Sequence, residues 1–405
     1  MSWCPTTKCL ATRNSPLAPA MGRAHALSGP QDAMSVPLIC DFGSGSSKVG
    51  FAGAEGPLAV FPTVLGKLRH DDDDLVGLDK KVWFIGDEVQ KQREKLNLVY
   101  PMSRAEVTNW DHMEKIWHHS FYQVLRVAPE QHPMLLTEPP SNSKASKERT
   151  AQVLFETFSV PALYIVNQGV LSLFSSGLTS GTTIECGEGM THFVPIIEGC
   201  PLHLSTMQMD VAGQDITLYL MQLLSRRGNS LLGTGDREYI RDMKEKCCYV
   251  ALDFDKEKAA ALSVALVQKH QLPDGREIEF GPEQFLCMEA LFQPDFIGRS
   301  SLGAHMIALR SISSCSPDLH RPLFRNVLLS GGTGSSPSLR ARMQRELSAL
   351  VSPTTNVKVS TCPCSVYSAW VGGSVLCSLS TFKDMWVTSD DYNEKGPSAV
   401  SKRSF

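Results

Sequence analysis

Two turns of the form acid-x-Gly-x-Gly, each entered from one apolar strand and left by another, constrain this chain more than any other feature. The first is Asp41-Phe42-Gly43-Ser44-Gly45 and the second is Glu185-Cys186-Gly187-Glu188-Gly189. Glycine lets a backbone turn tightly and bring its N–H groups close to a polyphosphate. The carboxylate ahead of the glycines can hold a hydrated Mg²⁺, Lys48 can neutralise phosphate charge, and Ser44 offers a hydroxyl donor. One such turn is most often an ordinary hairpin. Two in one chain could pinch a nucleotide between them. The pattern is neither a P-loop, which needs GxxxxGK[ST], nor a Rossmann fingerprint, because strand residues rather than a helix follow it. A third cluster, LLSGGTGSSPSLRARM, runs from a strand into a helix whose first amides suit an adenosine or a phosphate. It reads equally well as a Gly-rich loop with Ser-Pro opening a helix.

With 405 residues, 42% hydrophobic and 20% charged, the composition predicts a soluble globular chain of two or three domain-sized units. Lys+Arg 39 against Asp+Glu 42, a net charge of -3, favours neither a nucleic acid nor a membrane as partner. The longest apolar stretches, such as Val160 to Phe174, are broken by Asn167 and Gln168 and fall short of the roughly 20 residues a spanning helix needs. Twelve cysteines show no framework. Cys247 and Cys248 are adjacent and Cys362 and Cys364 are one residue apart, neither being the CxxC of a zinc or thioredoxin-like centre, so reduced intracellular thiols are expected.

Residues 1–34, rich in Ala, Pro and Ser with no acid before Asp32, read as a disordered tail. Arg13 and Arg23 faintly suggest a transit peptide, but no amphipathic helix supports it, and Met34 is a candidate second start. From Val36 the chain alternates. VPLICDFGSGSSKVGFAG reads as strand, tight loop, strand, and helical patterns cover Asp111 to Leu125, Lys144 to Thr157, Asn167 to Ser175, Asp215 to Ser225, Asp236 to Val250 and Ser338 to Leu347. Strand-like runs separate them, which predicts an α/β protein with helices covering its sheets.

From Val36 to Phe405 the chain resembles actin and the actin-like proteins. VTNWDHMEKIWHHSFYQVLRVAPEQHPMLLTEPP, MKEKCCYVALDF, LPDG, EALFQPDFIG, LSGGT, WVGGSV and LSTFKDMW are similar to actin segments in actin order. The resemblance implies an actin-like ATPase fold, two related α/β halves in four subdomains around a cleft for ATP or ADP with Mg²⁺. It places subdomain 1 at 35–62, 101–175 and 368–405, subdomain 2 at 63–100, subdomain 3 at 176–211 and 300–367, and subdomain 4 at 212–299. It implies Asp41, Gly43, Ser44, Gly45 and Lys48 at one phosphate loop and Glu185, Gly187, Glu188 and Gly189 at the other. Asp41 and Glu185 would reach the metal through water. Gly213, Arg241, Lys244 and Glu245 would lie by the ribose and adenine, with Gly331, Gly332 and Thr333 closing the pocket. Gln168 and His192 match the residues that position the attacking water; read without the family, they are a helix-capping amide and a strand histidine.

The departures bear on function. Glu185 and Glu188 stand where actin has aspartates, Phe42 where it has asparagine, Val366 where it has a lysine over the nucleotide, and Ser336 where it has an aromatic. Arg104 replaces the histidine that actin methylates, and Arg299 an apolar residue of the inter-strand plug. HDDDDLVGLDKK replaces the apolar-tipped loop that inserts into the next protomer, so Asp71 to Asp74 place like charges at an expected buried contact. By itself that run reads as a solvated loop rather than a metal site. The groove that takes partner helices keeps Phe174, Leu376, Leu379 and Met385, with Gly177 and Thr179 beside them. Those residues read equally as core under the C-terminal helix.

The expectation is a cytoskeletal or scaffold protein, cytoplasmic with the nucleus as alternative, that binds ATP and protein partners, hydrolyses slowly or not at all, and polymerises poorly. Divergent members of this kind are typical of developing sperm and of nuclear chromatin-remodelling complexes. The alternatives are a nucleotide-free degenerate structural protein and an actin-related subunit of a nuclear chromatin-remodelling complex. A sugar kinase or chaperone ATPase of the same superfamily would need a substrate-facing carboxylate base or an extra substrate domain.

Overall fold

The computed structural model describes residues 35–68, 83–229, 231, 234–263, 268–272, 275–362 and 364–403. The first 34 residues and the acidic run Asp71 to Asp74 lie outside the described residues. The strand Leu38–Phe42 is buried along its whole length, with Leu38 and Cys40 in one apolar cluster and Ile39 in another. A strand covered on both faces belongs in the middle of a sheet between helical layers. It pairs in parallel with Met134–Glu138, which pairs in parallel with Ala162–Asn167. On its other side the first glycine turn reverses the chain into Ser46–Phe51, and Ala59–Pro62 follows antiparallel. Val387–Thr388 closes the far edge.

A second sheet repeats this order. Cys200–Pro201, Thr191–Ile197 and Gly181–Cys186 are antiparallel neighbours, and Val327–Ser330 and Val359–Thr361 continue in parallel. Each acid-x-Gly-x-Gly turn therefore occupies the same place, joining the central strand of its sheet to the antiparallel strand beside it.

Two helices tie the sheets together by exchange. Helix Gln168–Ser175 leaves the end of the first sheet yet packs on the second, where a Cβ on Gly169 would sit 3.3 Å from Val194 Cβ. Helix Ser368–Cys377 follows the second sheet and packs on the first. Its Gly373 lies against Ile39 and Leu135, and Trp370 Nε1 donates to the Ile39 carbonyl at 2.9 Å. The helices cross where any Cβ on Gly372 would overlap the Leu171 carbonyl oxygen.

Helices Lys144–Glu156, Gly213–Arg226, Thr234–Cys247 and Pro337–Leu350 lie within a few residues of the ranges read from the sequence. The helix expected over Asp111 to Leu125 is instead Trp110–His118 continued by a wider π-type segment, His119–Leu125. Among the described residues no helix is long and apolar enough to cross a membrane. Two sheets of the same mixed order with helical layers between them are the two related α/β halves expected from the sequence.

Candidate functional site

The two glycine turns face each other across a cleft of about 840 Å³. A Cβ on Gly45 would meet Glu188 Cβ at 2.8 Å, and one on Gly189 would meet Ser44 Oγ at 2.7 Å, so each turn excludes a side chain from the other. Asp41, Gly43, Ser44, Gly45 and Lys48 line the cleft from the first hairpin, and Glu185, Gly187, Glu188, Gly189 and His192 from the second. Gln168, Arg241, Lys244, Glu245, Gly331, Gly332 and Thr333 complete the wall. Gly213 packs behind Glu188, where a Cβ would meet Glu188 Oε2 at 2.6 Å. The residues singled out in the sequence thus gather at one place.

Asp41 pairs with Lys48 at 3.1 Å and accepts hydrogen bonds from Thr137 Oγ1 at 2.6 Å and Gln168 Nε2 at 2.8 Å. The helix cap is supplied by Asn167, whose side chain accepts from the Gly169 N–H at 2.8 Å, so the Gln168 amide is free to face the cleft. Ser44 Oγ accepts from the Ala105 N–H at 3.0 Å and keeps its own proton to donate.

Glu185 is half-buried, with its Oε2 shielded from solvent. Ser172 Oγ at 2.9 Å and Ser330 Oγ at 3.3 Å donate to its Oε1, while Oε2 has no partner among the described residues. Burial pushes its carboxyl up to about 7 against the Ser172 hydrogen bond, and the charge of Asp41 adds to the rise. Burial also pushes His192 down to about 4, so its imidazole is neutral at physiological pH. His192 Nε2 lies 3.3 Å from Ser141 Oγ. An orphaned carboxylate oxygen near Asp41, in a space walled by glycines, suits a hydrated divalent cation carrying a polyphosphate, and the residues fit Mg²⁺ with a nucleotide.

On the far side of the cleft the charges are paired among themselves. Lys244 Nζ donates to the Gly213 carbonyl at 2.9 Å and lies 3.9 Å from Glu188, and Arg241 pairs with Glu238 at 2.9 Å. Gly331, with φ +87°, turns so closely over Cys186 that a Cβ would touch Gly187 N at 3.2 Å. The Thr333 and Gly334 amides then both donate to the Cys186 carbonyl at 3.1 Å.

A model of the actin family matches residues 32–405. The chain belongs to the actin family.

Sequence reasoning noted Arg104 only as a departure from the actin histidine. Its guanidinium crosses between the halves, donating to Asp215 at 2.8 and 2.6 Å, to the Gly189 carbonyl at 3.3 Å and to the Asp210 carbonyl. Arg299, the departure at the plug, pairs with the same acids, at 3.1 Å to Asp210 and 3.9 Å to Asp215. Arg104 and Ala105 have φ of +53° and +62°. Left-handed backbone costs roughly 1–2 kcal/mol for a residue with a Cβ. The fork of hydrogen bonds to Asp215 is what offsets it. Tyr100 Oη at 2.8 Å and Gln90 Nε2 at 3.1 Å also donate to Glu238, itself only 2% exposed, from the opposite side of the cleft.

In the proposed partner groove, Phe174, Leu376 and Met385 are partly buried against the cluster around Trp370, while Leu379 is 49% exposed. Gly177 and Thr179 are exposed beside them. This apolar lining is therefore a half-open surface over a core.

Glu185 and His192 give stability opposite pH dependences. Glu185 holds its proton more tightly folded than unfolded, so stability falls as pH rises from about 4.5 to about 7. His192 resists protonation when folded, so stability falls as pH drops from about 6.5 towards 4. In nucleotide-free chain, Glu185→Gln should remove the first decline, on the order of 3 kcal/mol between those limits. Urea melts at pH 5 and pH 8 read it; an unchanged difference between the two would show that Glu185 is not the group responsible.

Proposed function

We propose that this actin-family chain is a scaffold protein that holds Mg-ATP between its glycine turns, turns it over slowly, and binds protein partners. The observation that supports it most is the facing pair of turns with the orphaned Glu185 oxygen beside them. The amides of 43–45 and 187–189 would bind the phosphates, and Lys48 would balance their charge. Asp41 and Glu185 would hold the metal through water. Arg241, Lys244 and Glu245 would lie by the ribose and base, closed over by Gly213 and by Gly331 to Thr333. Bound Mg-ATP would supply the phosphoryl group and the cation charge that offsets it.

Transfer to water depends mainly on positioning. Gln168 and neutral His192 would orient the water by hydrogen bonds. Three features argue for slow turnover. The Gln168 amide nitrogen already donates to Asp41 and, at 3.2 Å, to Thr137. The Glu185 carboxylate is turned towards Ser172 and Ser330. Both second-turn acids are a methylene longer than the aspartates of actin. A nucleotide-free structural role is the second reading, favoured by the Arg104–Asp215 and Tyr100–Glu238 bonds, which join the two sides without any ligand.

We further infer a cytoplasmic, cytoskeletal setting, with partner helices seated in the groove of Phe174, Leu376, Leu379 and Met385. Weak self-assembly follows from the four aspartates at 71–74. Burying uncompensated carboxylates costs several kcal/mol each, and about 1.4 kcal/mol is a factor of ten in affinity.

Purified chain should carry bound nucleotide and, in single-turnover assays, hydrolyse ATP more slowly than actin. Replacing Glu185 and Glu188 together by Asp should raise the rate, up to roughly 10²-fold if carboxylate reach is the limit. An empty cleft in folded protein would instead establish the nucleotide-free reading, and a rate equal to actin's would end the claim of slow turnover.

Leu379→Asp should abolish capture of an amphipathic actin-binding helix in a pull-down while leaving the melt unchanged. Retained capture, or global unfolding, would mean that these side chains serve as core. Sedimentation tests assembly: the chain should stay in the supernatant alone and with actin at physiological salt, and efficient copelleting without a third protein would refute the proposal.

A further inference from the structure

Cys362 and Cys364 flank Pro363 in a Cys-Pro-Cys run at the end of the edge strand Val359–Thr361, and the nucleotide reading makes no use of them. Their sulfurs lie 2.8 Å apart, close enough to share a proton, and Ser175 Oγ donates to Cys362 Sγ at 3.6 Å from the crossing helix. The hydrogen bond between the two sulfurs holds the Cys362 thiol well below the ordinary thiol range and pushes the Cys364 thiol up. Burial instead pushes Cys40, Cys186 and Cys377 up. Cys362 thus has thiolate character, and a second sulfur already touches it. Cys362 is buried but Cys364 is partly exposed, so a reagent the size of water has a route in.

The pair is also wired to the cleft. The Ser365 N–H donates to the Cys362 carbonyl at 3.0 Å, and the Tyr367 N–H to the Cys364 carbonyl at 2.9 Å. Ser365 in turn accepts from the Gly331 N–H at 2.9 Å, and Ser365 and Val366 line the cleft wall.

We propose that Cys362 and Cys364 form a peroxide-oxidisable dithiol, a modification site whose closure into a disulfide shifts the turn of 364–367 and the Gly331 backbone that hangs from it. The Cys362 thiolate attacks one oxygen of hydrogen peroxide; the O–O bond breaks, hydroxide leaves, and Cys362 becomes a sulfenic acid. Cys364 sulfur then attacks Cys362 sulfur, forming the S–S bond and expelling the sulfenic oxygen as water with the Cys364 proton. The hydroxide takes up the proton that Cys362 had released. Two thiols lose two hydrogens and two electrons, and peroxide becomes two waters.

The test titrates reduced full chain with hydrogen peroxide, blocks remaining thiols with N-ethylmaleimide, and weighs the peptides. The peptide holding both residues should lose two hydrogens and escape alkylation at peroxide concentrations about tenfold below those that oxidise the exposed Cys200, and dithiothreitol should reverse it. Oxidation of Cys200 first, or of Cys362 straight to sulfinic acid, would overturn the proposal without reference to any nucleotide. In Cys364→Ser the sulfenic acid at Cys362 should persist and be trapped by dimedone, and its absence from that variant in folded form counts equally against it. Amide exchange over 327–334 reads the link to the cleft. It should quicken at least about threefold in the disulfide form, through loss of the Gly331–Ser365 bond, and identical exchange in both forms would remove that link.

Discussion

The two halves of this molecule touch backbone to backbone where Gly372 meets the Leu171 carbonyl, and the positions of the cleft side chains follow from that contact. One residue beyond Leu171, Ser172 donates to Glu185 at 2.9 Å and lies 3.0 Å from Ser368 Oγ of the crossing helix. Three residues before it, Gln168 reaches Asp41. The same short helix therefore holds a group on each phosphate turn, although it packs mainly on one sheet. A side chain at 372 would part the helices, at about 1–3 kcal/mol for overpacking. It would also move Ser172 and Gln168 relative to the two acids. Displacements of about 1 Å matter where function is positioning.

That crossing was illegible in the sequence for a physical reason. Helix Ser368–Cys377 is small or apolar all round, Ser-Ala-Trp-Val-Gly-Gly-Ser, so it offers no amphipathic period to read. Its glycines make sense only against Leu171, Ile39 and Leu135, which are remote in the chain. The glycine turns were legible because acid, glycine spacing and flanking strands are all local, and the helix over Lys144–Glu156 because its cap, Ser143, is followed by a run of helix formers that ends in an apolar stretch. The Arg104 clamp was not. A single residue change names no partner, and Asp215 is 111 residues away.

Charge in the site is managed by two different means. Asp41 is compensated by the Lys48 cation and by the Thr137 and Gln168 donors. Glu185, on the matching turn, has no cation within ion-pair distance among the described residues and leans on two serine hydroxyls, with its shielded Oε2 unsatisfied. A carboxylate oxygen in that state is costly unless it binds a proton or a cation. The asymmetry makes Glu185, rather than Asp41, the acid whose charge depends on what occupies the cleft.

A ligand can shift a conformational equilibrium only by binding one state better than another. In this chain the cleft is spanned by contacts that involve no ligand, from Arg104 to Asp215 on one flank and from Tyr100 and Gln90 to Glu238 on the other. Both acceptors are buried carboxylates, so breaking either pair removes part of the hydrogen bonding of a buried charge and costs more than parting a surface ion pair, although Arg241 stays on Glu238 and the Ala212 N–H on Asp215. On the proposed reading, a nucleotide between the turns would meet halves that are already joined by these contacts, and its binding free energy would go into neutralising Glu185 rather than into drawing the two sheets towards each other.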